Sequence, residues 1–169
     1  MNQPLTGIRV LELGMYQAAP GAAAILGDLG AEVIKIEQPG VGDPVRRVKR
    51  VSGIVFKLPG DLNLWNEAVN RNKKSVTIDL NQEKGREVAY RLVKKSDVFL
   101  TSLRKPAIEK MKMNYPVLSQ LNPGLIYAWI SGFGPQGPDR NVGAFDYQGQ
   151  GRSGLMFSLG EPQMPPLVA

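Results

Sequence analysis

Asp146 follows a stretch, from Gly132 to Ala144, that is too rich in glycine and proline for regular structure, and glycines and amides flank it on the far side. A carboxylate so placed can support acid–base or electrostatic work at a reacting centre. An acid near a helix start can equally be an N-terminal cap or a partner of the helix dipole, and the residues alone leave both open. The chain has no His and no Cys. That removes imidazole bases, Ser–His and Cys–His pairs, thiolate nucleophiles and most zinc chemistry, so no metal site is expected. The net charge is +6, and the basic residues cluster in RRVKR (Arg46 to Arg50) and NRNKK (Asn70 to Lys74). Solvated loops or an anionic partner would both account for them. Neither cluster is interleaved with stacking aromatics, so no nucleic acid is expected, and a phosphate-bearing small molecule fits better.

The elements that must position these groups alternate. IRVLEL (Ile8 to Leu13) predicts a strand, APGAAAILGDLG (Ala19 to Gly30) a helix with Pro20 at its first position and Gly30 as its C-terminal cap, and EVIKIE (Glu32 to Glu37) a second strand. A helix between two strands forces a parallel, right-handed crossover. A loop follows from Gln38 to about Asn63. Next come SVTIDL (Ser75 to Leu80) as strand, Asn81 to Ser96 as an amphipathic helix capped by Asn81, and DVFLT (Asp97 to Thr101) as strand; one or two short helices then lead to LIYAWIS (Leu125 to Ser131). The pattern predicts an α/β fold, a parallel sheet with helices on both faces. With 43% apolar residues the chain can bury a core, and no apolar run approaches the roughly eighteen residues of a membrane span. The opening residues show no basic and then apolar leader, so a cytoplasmic protein is expected.

In such a sheet ligands gather at the carboxyl ends of the strands. The residues to watch are therefore Met15 to Ala18, Glu37 and Gln38, Asn81, Ser102 to Arg104, and Gly132 to Asp146, with Arg104, Lys105 and Lys110 supplying positive charge. Glu37 ends the second strand where a dinucleotide's ribose-binding acid would sit. The glycine fingerprint is missing, however: the first turn reads GMYQAAPG, and bulky Met15 and Tyr16 would keep a pyrophosphate off the backbone.

Five ordered blocks, PLTGIRVLELG, GDLGAEVIKIEQPGVGDPVR, NRNKKSVTIDL, LNPGLIYAWISGFGPQGP and FDYQGQGRSGLM, resemble the amino-terminal half of the class III coenzyme A transferases. The resemblance covers essentially the whole chain. It implies a Rossmann-like large domain, with residues 1–160 its amino-terminal part and 161–169 the start of a connection onward, in an interlocked homodimer. It also implies transfer of CoA from an acyl-CoA to a carboxylic acid through an aspartyl-CoA thioester, with no cofactor beyond the CoA thioester itself. The nucleophilic aspartate is expected just beyond Ala169, so these 169 residues alone would not transfer CoA.

By the same resemblance Asp146 is the supporting acid beside the thioester. Gln17, next to Ala18, would donate an amide hydrogen bond to the acyl carbonyl. Ser102, Leu103 and Arg104 would line the CoA path, Lys110 would lie near the nucleotide phosphates, and Ile78 to Asn81, including Leu80, would pack on the adenine. Gln38 stands where some members carry an arginine for CoA, and SLRKPA departs from the family's usual Asn-Phe-Arg-Pro-Gly turn. Phe145 would be a CoA- or substrate-binding residue, and it stands where related acyl-CoA racemases carry a catalytic His just before the Asp. A racemase, or a CoA-binding chain without catalysis, is the alternative expectation.

Overall fold

The computed structural model describes residues 3–51, 53–161 and 163–168. Pro162 and Ala169, within the expected connection of 161–169, lie outside the described residues. The described chain divides into two compact units, residues 1–130 and 131–169.

In the first unit the chain runs through β1 (Arg9–Leu13), α1 (Ala18–Asp28), β2 (Glu32–Glu37), a short hairpin of β3 (Arg50–Val51) and β4 (Ile54–Val55), α2 (Leu64–Asn70), β5 (Lys73–Thr77), α3 (Glu83–Val93), β6 (Val98–Thr101), α4 (Lys105–Lys110), α5 (Tyr115–Leu121) and β7 (Ile126–Trp129). Five strands form one sheet in the order β5-β2-β1-β6-β7, and every pairing is parallel. The chain winds outward from β1 to β2 and β5, then returns to β6 on the other side. That reversal, between β1 and β6, is where a sheet of this kind opens a crevice.

Alternation along the strands sends side chains to two cores. Leu11, Leu13, Ile36 and Phe99 meet Ala89, Val93, Ile108 and Leu118 from α3, α4 and α5 on one face. Val10, Val33 and Leu100 meet Ala19 and Ala23 of α1 on the other. The alanines let α1 lie close to the sheet. Gly30 ends this element as expected: at φ +100 it occupies a conformation open to glycine, while its N–H bonds Gly27 O and the N–H of Ala31 bonds Leu26 O.

Several boundaries differ from the pattern. Pro20 is the third residue of α1, still within the first turn, where no N–H partner is lost. The third strand of the sheet is Lys73–Thr77, not Ser75 to Leu80. The Ile78 N–H still bonds Glu37 O, but the next residues turn out of the sheet: Asp79 Oδ1 accepts from the backbone and side-chain N–H groups of Asn81 at 3.0 and 3.1 Å. Asn81 is therefore a turn residue, and Gln82 occupies the cap position of α3. The loop expected from Gln38 to Asn63 carries β3, β4 and two 3-10 turns, and α2 follows it, started by Asn63, whose Oδ1 accepts from Asn66 N–H at 2.9 Å.

The second unit holds α6 (Asp146–Ser153) and α7 (Leu155–Ser158), preceded by the glycine-rich loop. That loop closes on itself. A Cβ on Gly132 would sit 2.3 Å from the Ala144 Cβ, so only glycine lets its two ends meet.

Candidate active site

The carboxyl ends of β1, β2 and β5 frame a cleft of about 220 Å³, floored by apolar side chains such as Leu13, Ile36 and Ile78. Among the residues expected at the site, Gln38, Leu80, Asn81 and Leu103 line it, together with Met15, Ile78 and Asp79. Leu103 is held by its backbone, its N–H donating to Thr101 Oγ1 at 3.2 Å and its carbonyl accepting from Trp129 Nε1 at 2.9 Å. The Leu80–Asn81 wall is held by Arg86, which donates to both carbonyls, at 3.1 and 2.9 Å.

Glu37 also lines the cleft, and its carboxylate is already committed. Arg46 grips it with two bonds of 2.7 and 3.0 Å, Ser75 Oγ donates at 2.8 Å and the Asp43 N–H at 2.8 Å. Burial alone would push this acid up, but Arg46, Ser75 and the Asp43 amide overcome it and hold the carboxyl at about 2. A carboxylate so occupied has no room for a ribose hydroxyl, which agrees with the missing glycine fingerprint of a dinucleotide site.

Behind the cleft, on the α1 face of the sheet, lies a buried charge cluster. Lys35 donates to Glu12, Asp43 and Asn70 at 2.9, 2.6 and 2.9 Å. Lys73 donates to Glu12, the Pro20 carbonyl and Asn70 at 2.7, 2.7 and 3.4 Å. Each ammonium has three N–H groups and each meets three acceptors. Burial pushes Lys73 below the usual lysine range, with Glu12 opposing the shift. The remaining oxygen of Asp43 accepts from the N–H groups of Tyr16 and Val45, at 3.1 and 3.0 Å. Asp43 thus ties the turn after β1 to the loop after β2.

The turn after β1 is strained at Tyr16, whose φ is +62. Beyond it Gln17 and Ala18 open onto a shallower depression between α1 and α2, shared with Gly21, Ala22, Ala68 and Arg71. They do not line the cleft that holds Gln38 and Asn81. Gln17 Oε1 accepts from the Trp65 indole at 2.5 Å.

Ser102 lies behind the first turn: a Cβ on Gly14 would come within 3.2 Å of its Oγ. Arg104 is the cap residue of α4 and Lys110 its last residue. Both side chains are exposed, and neither has a partner among the described residues.

Asp146 and Phe145 belong to the second unit. Asp146 is the first residue of α6, and Phe145 takes the cap position, so the acid is not the cap itself. The Phe145 N–H instead donates to Gln148 Oε1 at 2.6 Å. Asp146 is exposed, with Oδ2 accepting from Gln150 Nε2 at 2.5 Å. Arg152, in the last turn of α6, pairs with Asp139 of the preceding loop and stacks over Phe133 at 4.7 Å.

Asp43, Trp65, Glu12 and Lys35 were not among the residues expected at the site. One signal for the last two was present: a charge of each sign interrupts the apolar runs of β1 and β2, at positions that pair in register. Among the described residues no group of three or more acidic side chains could hold a metal, and no helix is long and apolar enough to cross a membrane.

A sequence model described as CoA-transferase family III matches residues 5–169. The alpha subunit of succinyl-CoA–L-malate CoA-transferase from Chloroflexus aurantiacus is 42% identical over 165 residues, covering 98% of this chain and 37% of that protein. Succinate–glutarate CoA-transferase from Agrobacterium fabrum is 40% identical over 170 residues, covering 98% and 42%. The crystal structure of a CAIB/BAIF family protein from Brucella suis superposes with a TM-score of 0.89 at 36% identity, over 100% of this chain and 44% of that one. The chain thus spans about two-fifths of the length of the curated relatives it matches. With the family model covering nearly every residue and the parallel sheet shared with a solved member, this chain belongs to CoA-transferase family III.

Proposed function

We propose that the chain is the amino-terminal part of an enzyme that transfers CoA from an acyl-CoA donor to a carboxylic acid. The observation that carries this is the cleft at the carboxyl ends of β1, β2 and β5, apolar enough for an adenine and bounded by Gln38, Leu80, Asn81 and Leu103, in a chain of this family. CoA enters as substrate, with no further cofactor. An aspartate beyond Ala169 attacks the thioester carbonyl and expels the CoA thiolate, leaving a mixed anhydride. The thiolate then attacks the aspartyl carbonyl and releases the donor acid, forming the aspartyl-CoA thioester. The acceptor carboxylate repeats the sequence in reverse, and the aspartate is regenerated. The 169 residues alone therefore bind CoA without transferring it. A succinyl thioester is the first donor to test, since several relatives are named for succinyl-CoA or succinate.

Gln17 donates its amide N–H to the acyl oxygen, and the role proposed for Asp146 is that of a supporting acid in the transfer. Arg104 and Lys110, both exposed and unpaired among the described residues, meet the phosphates. Phe145 cannot shuttle a proton, which favours transfer over racemisation.

The test is Asp146→Asn in the full-length enzyme, assayed with succinyl-CoA and L-malate. Asparagine keeps an acceptor for Gln150 and removes the charge. Turnover should fall by about one to three orders of magnitude with CoA affinity nearly unchanged. If the acid serves only the helix dipole, the cost is about 0.3–1 kcal/mol of stability and turnover stays at the wild-type value.

A further inference from the structure

Trp65 projects from α2 onto the turn after β1. Its ring lies 5.5 Å from Phe56 and 6.4 Å from Tyr16, in tilted contacts, and its Nε1 donates to Gln17 Oε1 at 2.5 Å. An indole N–H can only donate, so the atom facing it must be the amide oxygen. The amide is thereby turned one way, with its N–H₂ pointing elsewhere. That nitrogen has no hydrogen-bond partner among the described residues. It lies beside Gly21, where even a methyl group would stand only 3.4 Å from it.

We infer that Trp65 is a positioning residue: its indole holds Gln17 by the oxygen, so that the only group Gln17 can present to a substrate is a hydrogen-bond donor. This rests on the proposal above that Gln17 donates to the acyl carbonyl. A free glutamine amide samples both orientations by rotation about its last bond. Half of such an ensemble would present an oxygen to the developing oxyanion, which is repulsive. Fixing the amide in advance means no reorganisation as charge builds on the carbonyl. The backbone beneath it is fixed too, because Asp43 holds the Tyr16 N–H at 3.1 Å and the Gly21 N–H bonds the Gln17 carbonyl at 2.7 Å. Trp65 sits on a helix whose own start is capped by Asn63, so the donor is delivered from a rigid element.

The test is a double-mutant cycle in the full-length enzyme with succinyl-CoA and L-malate. Trp65→Phe keeps a ring against Phe56 and Tyr16 and loses the N–H. It should lower kcat about three- to tenfold, the value of one hydrogen bond, with KM for succinyl-CoA unchanged. Gln17→Ala should lower kcat about ten- to a hundredfold. In the Gln17→Ala background, Trp65→Phe should have no further effect. Equal losses from Trp65→Phe in both backgrounds, or none in either, would overturn the positioning role while leaving Gln17 a donor. Wild-type turnover in Gln17→Ala would instead remove the donor role itself, and the inference with it. An independent readout needs no substrate: the Trp65 indole N–H resonance, assigned by its loss in Trp65→Phe, should move upfield and exchange faster with solvent in Gln17→Ala. An unmoved resonance means the bond is absent and refutes the inference.

Discussion

Replacing Glu37 by glutamine removes one charge from the rim of the cleft and keeps an acceptor for Arg46 and Ser75. The carboxyl is held at about 2 against 4.5 for a free glutamate: burial opposes ionisation, while Arg46, Ser75 and the Asp43 amide favour it more strongly. Because the folded value lies below the unfolded one, the stabilisation is fully present above 4.5 and is lost as pH falls toward about 2. At about 1.4 kcal/mol for each tenfold change in equilibrium, that gap amounts to about 3 kcal/mol. The Arg46 side chain is 43% exposed, and water screens its share, which brings the expected figure to about 2 kcal/mol. Urea unfolding of the 169-residue chain and of Glu37→Gln, followed from about pH 6.5 down to about pH 2.5, measures it. The two should differ by about 2 kcal/mol near neutrality and converge at the acid end. A difference that stays constant with pH would mean that the charge on Glu37 contributes nothing, and the reasoning from its donors would be wrong.

Two further outcomes follow from the walls of the site. Gly85→Ala would place a Cβ 2.0 Å from the Asp79 carbonyl oxygen, so the turn that carries Leu80 and Asn81 must move. The change should cost about 1–3 kcal/mol in thermal unfolding although alanine is the better helix former, and a rise in melting temperature would contradict the close packing. Lys110→Ala and Arg104→Ala, in the full-length enzyme, should each weaken CoA by about 1–3 kcal/mol in calorimetry and dephospho-CoA by less. Equal losses for the two ligands would place both cations away from the 3′-phosphate.

The sheet was legible where apolar and β-branched residues alternate without interruption, as in Arg9–Leu13 and Glu32–Glu37. It was misplaced at β5 because Ile78 and Leu80 continue the alternation after the chain has left the sheet; their side chains line the cleft. The signal that ends the strand is the Asp79 turn, and a polar residue in an alternating run looks the same whether it turns or not. The helix Leu64–Asn70 is too short for a periodic stripe, so Trp65 carried no sign that it reaches Gln17. The residues facing the cleft from strand ends, such as Gln38 and Asn81, could be found because the fold class alone says where to look. Gln17 follows a strand end too, yet opens on a different side, since the left-handed Tyr16 redirects the chain and nothing in its side chain announces that conformation. The occupation of the Glu37 carboxylate was not legible because its partners, Arg46 and Ser75, approach from segments whose folding back is invisible in one dimension.

The buried cluster of Glu12, Lys35, Asp43, Lys73 and Asn70 has a consequence for how this protein can change over generations. Two carboxylates face two ammonium groups, and every ammonium proton is used. Losing any one of the four charged members strands an opposite charge in a dry interior, at about 3–5 kcal/mol, a large part of a domain's stability. Replacing the whole set by apolar residues of similar volume would be far cheaper than any single step toward it. Descendants of this sequence are therefore confined to keeping the set intact or exchanging it in one concerted move. Because Asp43 also ties the turn leading to Gln17 to the loop bordering the cleft, that lock on inheritance extends to the geometry of the site itself.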